Sequence, residues 1–291
     1  MSARVRPRRS VLYMPGSNAR ALEKAKSLPA DALIFDLEDA VAPQAKASAR
    51  EQVCAALRAG GYAPRETIVR VNALATPWGQ ADLAAVAGAG ADAVLIPKVE
   101  SADAVRQALT VLDDASGPAD LPLWCMMETP RAMLRAEEIA AAHRRVGCRV
   151  MGTSDLAKEL HAAHTPLRLP LLTALGLCLL AARTCGLAIL DGVHLDLEDD
   201  AGFAAACRQA AELGFDGKTL IHPSQIGPAN AAFAPDAEAL ARAQRIIEAH
   251  ERAAREGKGV VVVEGRLVEN LHVVEAQRQV QLAAAIAAMP G

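Results

Sequence analysis

Short apolar runs recur along the chain, and each is followed by an amphipathic or Ala-rich stretch. The runs are SVLYMPG (10–16), ALIFDLED (32–39), ETIVRVN (66–72), AVLIPKVE (93–100), LPLWCMMET (121–129), RVMGTSD (149–155), LAILDGVH (187–194) and KTLIHP (218–223). Continuous runs of this kind predict strands buried on both faces, and the stretches between them predict right-handed helical crossovers. There are eight. Eight βα units over roughly 250 residues give the arithmetic of an α/β fold of the (β/α)8 TIM-barrel type. No GxGxxG follows the first run, so an open sheet with a dinucleotide site is disfavoured.

Nearly every run ends in polar residues: Glu38-Asp39, Arg70-Asn72, Lys98-Glu100, Glu128-Thr129, Ser154-Asp155, Asp191-His194 and His222. In a barrel these C-terminal strand ends converge on one mouth, where sites of this fold are built. After His222 the pattern changes to a Pro- and Ala-rich segment, a long helix over 237–257, the hairpin-like KGVVVVEGRLVEN and a final helix. The expected division is a barrel domain over 1–235 and a C-terminal helix and lid extension over 236–291, reaching a neighbouring subunit.

Composition narrows the function classes. The chain has 291 residues, is 52% hydrophobic, and carries a formal net charge of −3. That balance, without a basic patch interleaved with aromatics, gives no reason to expect nucleic acid. The basic RVRPRR at Arg4–Arg9 reads as a solvated N-terminal tail. No apolar run reaches the roughly 18–20 residues of a membrane span, and SVLYM is too short for a signal peptide's apolar region, so the expectation is a cytoplasmic protein without a membrane partner. The six cysteines include no CxxC pair and read as small buried hydrophobes.

Two carboxylates at adjacent strand ends, Glu128 and Asp155, suit a hard cation such as Mg²⁺, which takes one or two protein carboxylates and leaves the rest to substrate and water. The alternative is that each pairs with an Arg or Lys from a neighbouring strand. In MGTSD, Gly152, Thr153 and Ser154 precede a helix start, where backbone N–H groups suit a substrate carboxylate; an ordinary N-cap by Ser154 or Asp155 is compatible with this. Arg70 in IVRVN stands where a strand interior should be apolar. It needs an anion, either a ligand or Glu38 or Asp39 on the preceding strand.

At these residues the sequence resembles the HpcH/HpaI aldolase and citrate lyase β-subunit family, and within it the CitE-like acyl-CoA lyases. The phrases that carry it are RRSVLYMPGS, ALIFDLEDAVAPQAKASAR, IVRVNALATPWGQADL, LIPKVES, METPRAM, GTSDLAKEL, DGVHLDLEDDAGF and GFDGKTLIHPSQI, in order across about residues 8–228. The resemblance implies a barrel enzyme that cleaves or forms a C–C bond beside a CoA thioester. It implies Mg²⁺, with Mn²⁺ as the alternative, and a homo-oligomer, trimer or hexamer. Glu128 and Asp155 fall on the family's metal ligands and Arg70 on its substrate-binding arginine. Tyr13, Lys24 and Pro223 fall on positions that contact the CoA ligand, while Asn18 replaces an arginine found in many relatives. The family's tail phrase carries an Asp that enters a neighbouring mouth as an acid/base group; Glu269 stands there, followed by Leu271 in place of a proline.

The expected function is therefore a Mg²⁺-dependent lyase acting on a β-hydroxyacyl-CoA such as citramalyl-, malyl- or citryl-CoA. Arg70, Glu128, Asp155 and Glu269 would do the chemistry, and Gly152, Thr153 and Ser154 would orient the substrate. The alternatives are an acyl-CoA thioesterase or a free 2-oxo-acid aldolase on the same site, or the β-subunit of a citrate lyase-type complex.

Overall fold

Eight parallel strands close on themselves in chain order in the computed structural model, which describes residues 6–257 and 260–289. They are β1 (Ser10–Pro15), β2 (Ala32–Asp36), β3 (Glu66–Arg70), β4 (Ala93–Ile96), β5 (Leu123–Met127), β6 (Val146–Met151), β7 (Ala188–Asp191) and β8 (Gly217–Leu220). Closure comes from β1, which pairs with both β2 and β8. The fold is the expected (β/α)8 barrel. Each strand overlaps one of the eight apolar runs, β6 starting three residues before its run and β8 one, and several stop short of the polar residues that end the run. Those residues stand on the loops of the mouth.

Strand periodicity decides what faces the mouth. Val11, Ile34, Ile68, Leu95, Met126 and Val150 belong to the buried cluster inside the barrel. Successive inward positions are two residues apart. The next inward layer is therefore Tyr13, Asp36, Arg70, Pro97, Glu128 and Gly152. Register completes the arrangement, since Pro15 aligns with Asp36, Asp36 with Arg70, and Arg70 with Leu95. The same alternation turns Asp191 outward, because Leu190 faces in.

The opposite end of the barrel corrects one expectation. Arg8 and Arg9 are not a solvated tail. Arg8 sits 4.8 Å over the ring of the buried Trp124 and pairs with Glu66 at 2.6 Å. Arg9 pairs with Asp31 at 2.8 Å. Both carboxylates are buried, and a buried carboxylate without a counter-charge is costly. Arg4 and Val5 of the same basic stretch lie outside the described residues.

Contacts divide the chain into a barrel unit, Arg8–Ala232, and a second unit from Phe233 onward that also takes in Arg6 and Pro7. In the second unit the helix Ala237–Arg255 packs on the helix Asn270–Ala287, joined by an antiparallel hairpin of β9 (Val261–Val263) and β10 (Arg266–Val268). Lys258 and Gly259 of the expected hairpin lie outside the described residues. Among the described residues no helix is long and apolar enough to cross a membrane. All six cysteines are free, five of them buried.

Candidate active site at the barrel mouth

A cavity of about 350 Å³ opens at the C-terminal ends of the strands. Tyr13, Arg70 and Asp155 line it, together with the backbone stretch Gly152–Ser154; Met126, Met151, Val193 and Ile221 supply its apolar wall. Six of the residues singled out in the sequence thus meet around one space.

Arg70 carries the densest set of interactions. Its guanidinium grips Asp36 with two bonds of 2.6 Å, Nε to Oδ1 and Nη2 to Oδ2. Nη1 reaches Glu38 at 2.9 Å and Asp39 at 3.4 Å, and the group lies 4.8 Å over the Tyr13 ring. Burial opposes its charge, but the carboxylates outweigh that and hold its pKa well above the usual arginine range. The sequence offers Glu38 or Asp39 as partners. Both contribute, yet the register makes Asp36 the principal one. Asp36 also accepts the backbone N–H groups of Glu38 (2.9 Å) and Ala40 (3.0 Å), so it shapes the loop that carries the other two acids. Lys46 holds that loop from beneath, donating to the carbonyls of Leu37 (2.9 Å) and Glu38 (2.7 Å). Asn72, expected at the rim, locks onto Leu37 O and Asp82 instead.

Glu128 is fully buried immediately behind Gly152. Its Oε1 accepts the Lys98 backbone N–H at 2.7 Å, and the Lys98 ammonium stands 4.0 Å away. Its Oε2 is buried without a hydrogen-bond partner. Burial above all, and then Glu38, push its pKa up to about 7 against the pull of Lys98. Asp155 is half-buried in the first turn of the helix Thr153–Glu159. The N-cap there is Gly152, with no side-chain cap, so neither Ser154 nor Asp155 performs the expected capping. Ser154 Oγ is also buried without a partner.

The pair fits a small hard cation. An unpartnered buried carboxylate oxygen, a second carboxylate on the cavity wall and a proton affinity raised first by burial and then by the nearby Glu38 are the features a cation relieves. Among the described residues no group of three or more His, Cys, Asp or Glu is placed to hold a metal. Two carboxylates are thus what the mouth could offer a cation, a set that suits an ion that draws its other ligands from water and substrate.

Of the remaining expected residues, Lys24 and Pro223 are not among those that line this cavity. Lys24 is exposed on the helix Ala19–Ala25. Pro223 opens the turn Pro223–Gln225, with His222 as its cap. Glu269, in the second unit, is the N-cap residue of the helix Asn270–Ala287, and its N–H donates to His272 Nδ1 at 3.0 Å. Asp191 faces away from the cavity, paired with Arg168 and Lys218. Lys98 and Asp36 are the additions that sequence reading does not assign to the chemistry.

A family profile described as HpcH/HpaI aldolase/citrate lyase matches residues 9–223. The chain is 52% identical over 288 residues to a (3S)-malyl-CoA thioesterase of Cereibacter sphaeroides, covering 99% of each chain. It is 41% identical over 271 residues to the citrate lyase subunit beta of Escherichia coli K12, covering 91% of this chain and 90% of that one. Among solved structures it resembles CitE of Mycobacterium tuberculosis in complex with magnesium, acetoacetate and coenzyme A. That likeness has a TM-score of 0.75 and 31% identity, and covers 97% of this chain and 100% of the other.

Proposed function

The chain belongs to the HpcH/HpaI aldolase/citrate lyase family, and on that premise we propose that it is a Mg²⁺-dependent enzyme acting on a 3-hydroxydicarboxylic acyl-CoA such as malyl-CoA. The net reaction is hydrolysis of the thioester: malyl-CoA and water give malate, free CoA and a proton. The observation that carries a cation-assisted reaction is the buried, unpartnered Oε2 of Glu128 beside a cavity walled by Asp155. The full-length identity to a malyl-CoA thioesterase supports the substrate and the hydrolytic outcome.

Glu128 and Asp155 would hold the cation, with Mn²⁺ as a substitute. When bound it supplies positive charge for the substrate's free carboxylate and hydroxyl. The half of the cavity formed by Gly152–Ser154 takes the same carboxylate through backbone N–H groups and the unpaired Ser154 hydroxyl. Arg70, fixed by Asp36, faces the thioester carbonyl and stabilises the oxygen anion that develops there, whether it arises by water attack or as an enolate. The Met126, Met151, Val193 and Ile221 wall limits water around that oxygen, which strengthens the guanidinium's effect. Tyr13, Lys24 and Pro223 are assigned to the CoA portion. Glu269, supplied by a neighbouring subunit of a homotrimer or hexamer, is the proton carrier.

The second reading is C–C cleavage at the same site, giving glyoxylate and acetyl-CoA from malyl-CoA. It is favoured by the identity to citrate lyase β-subunits and by Arg70, which serves an enolate oxygen equally well. Products separate the two. Purified protein with Mg²⁺ and malyl-CoA is followed for free thiol and for glyoxylate. Thiol and malate in equal amounts without glyoxylate support hydrolysis, and glyoxylate matching acetyl-CoA supports the lyase. If Mg²⁺-loaded protein leaves malyl-CoA intact, the proposal fails.

A further inference from the structure

Five non-glycine residues among those described adopt a positive φ, and one of them, Lys98 (φ 53°), stands at the mouth, directly after Pro97. A lysine in the left-handed region lacks the local hydrogen bonding that makes Asn or Asp tolerable there. What the turn achieves is visible in its two polar ends. The backbone N–H points at Glu128 Oε1 (2.7 Å), while the side chain doubles back to place Nζ 3.0 Å from Glu38 Oε1. Glu38 in turn pairs with Arg70 at 2.9 Å. The result is a continuous path Glu128–Lys98–Glu38–Arg70 across the mouth.

We propose that Lys98 is a positioning residue that sets both halves of the site: its left-handed backbone occupies Oε1 of Glu128, so that only Oε2 is offered to the cation, and its ammonium fixes Glu38 and through it Arg70. The inference rests on the reading of Glu128 as a metal ligand and adds a residue to it. An extended residue at position 98 would turn its N–H away and free Glu128 to rotate. A residue that keeps the turn but lacks the ammonium, which also stands 4.0 Å from Glu128 Oε1, would keep that oxygen on the backbone N–H and leave Arg70 less constrained.

The two roles separate by substitution. Mg²⁺ affinity is measured by calorimetry with the metal alone for wild type, K98M and K98V, because a β-branched residue resists the left-handed region far more than an unbranched one. The expected result is a Mg²⁺ Kd within threefold of wild type for K98M and at least tenfold weaker for K98V. In turnover, K98M is expected to lose at least tenfold in kcat with KM within threefold, and K98R to recover most of the loss. Should K98V fail to fold, the melting temperatures of K98G and K98A test the turn: K98G melts above K98A, the reverse of the usual order for these residues. K98V binding Mg²⁺ like wild type, or K98G melting below K98A, overturns the backbone role. Wild-type kcat in K98M overturns the ammonium's. Wild-type protein that takes up no Mg²⁺ overturns instead the reading on which the proposal stands, and the wild-type titration tells these failures apart.

Discussion

Gly152 and Glu128 are so close that a Cβ built on the glycine would overlap the glutamate's Cβ and lie 2.7 Å from its Oε2. The absence of a side chain at 152 is what lets a buried carboxylate stand directly behind the cavity wall. Gly152→Ala should therefore displace Glu128. Displacements near 1 Å at a reacting site cost about a hundredfold in rate. The expected outcome is a loss of that order in kcat/KM together with weakened Mg²⁺ binding, read by steady-state kinetics and calorimetry. Wild-type Mg²⁺ affinity in this variant would remove Glu128 from the metal site.

With Glu128 holding the cation as proposed, proton and cation should compete for it. With its pKa pushed up to about 7, chiefly by burial, the metal-free carboxyl is largely protonated at pH 6 and ionised at pH 8. Mg²⁺ binding must expel that proton, so affinity should be about tenfold weaker at pH 6 than at pH 8, a one-proton dependence. Stability of the metal-free protein moves the opposite way. The folded state keeps the proton above the pH at which the unfolded chain releases it, so this contribution is complete below the ordinary glutamate pKa and is lost as pH rises through about 7. Glu128→Gln should abolish both trends, checked by calorimetry and by urea unfolding at the two pH values.

How far these features can be read from the sequence differs residue by residue. The strands are legible because each is a run buried on both faces. Arg70 stands out because a lone cation interrupts such a run. Asp36 is hidden by its neighbours: in ALIFDLED the acidic end of the run draws attention to Glu38 and Asp39, and only alternation from Ile34 with the β2–β3 register singles it out. Lys98 looks like any polar strand end, since its function lies in a backbone angle that residue type does not reveal. Arg8 reads as tail in the sequence because its partner Glu66 is 58 positions away, beyond any local charge pattern.

Asp36→Asn tests whether Arg70 depends on its principal partner. The substitution keeps the side chain's shape but removes the charge that the guanidinium grips with two 2.6 Å bonds. Glu38 and Asp39 remain, so Arg70 stays charged while losing its fixed direction. We expect kcat to fall about tenfold with little change in KM, as for an interaction that matters chiefly in the transition state. Arg70→Lys, which cannot form the paired bonds, should cost about a hundredfold. In the double variant the losses should be less than additive, because both changes remove one interaction.

Outside the barrel wall, Asp191 is fully buried between two cations: Arg168 Nη1 donates to both of its oxygens (2.8 and 2.7 Å), and Lys218 Nζ approaches at 2.6 Å. Lys218 also donates to the carbonyl of Gly192. Gly192 sits against Thr153 so tightly that a Cβ there would overlap the threonine hydroxyl. The triad thus holds the β7 loop against the cavity wall without touching the cavity. Asp191→Asn leaves the buried Lys218 and the partly buried Arg168 with no counter-charge and should destabilise the fold by about 3–5 kcal/mol. Lys218→Met leaves the Arg168 pair intact and should cost less, about 1–3 kcal/mol for removing its hydrogen bonds to the carbonyl and the carboxylate. Urea midpoints of the two variants measure the difference. Equal midpoints would mean that the carboxylate is not the centre of the triad. Gly192→Ala carries the consequence to the site: it should raise KM by pushing Thr153 into the cavity, while Mg²⁺ affinity, assigned to Glu128 and Asp155 in the proposed function, should change little.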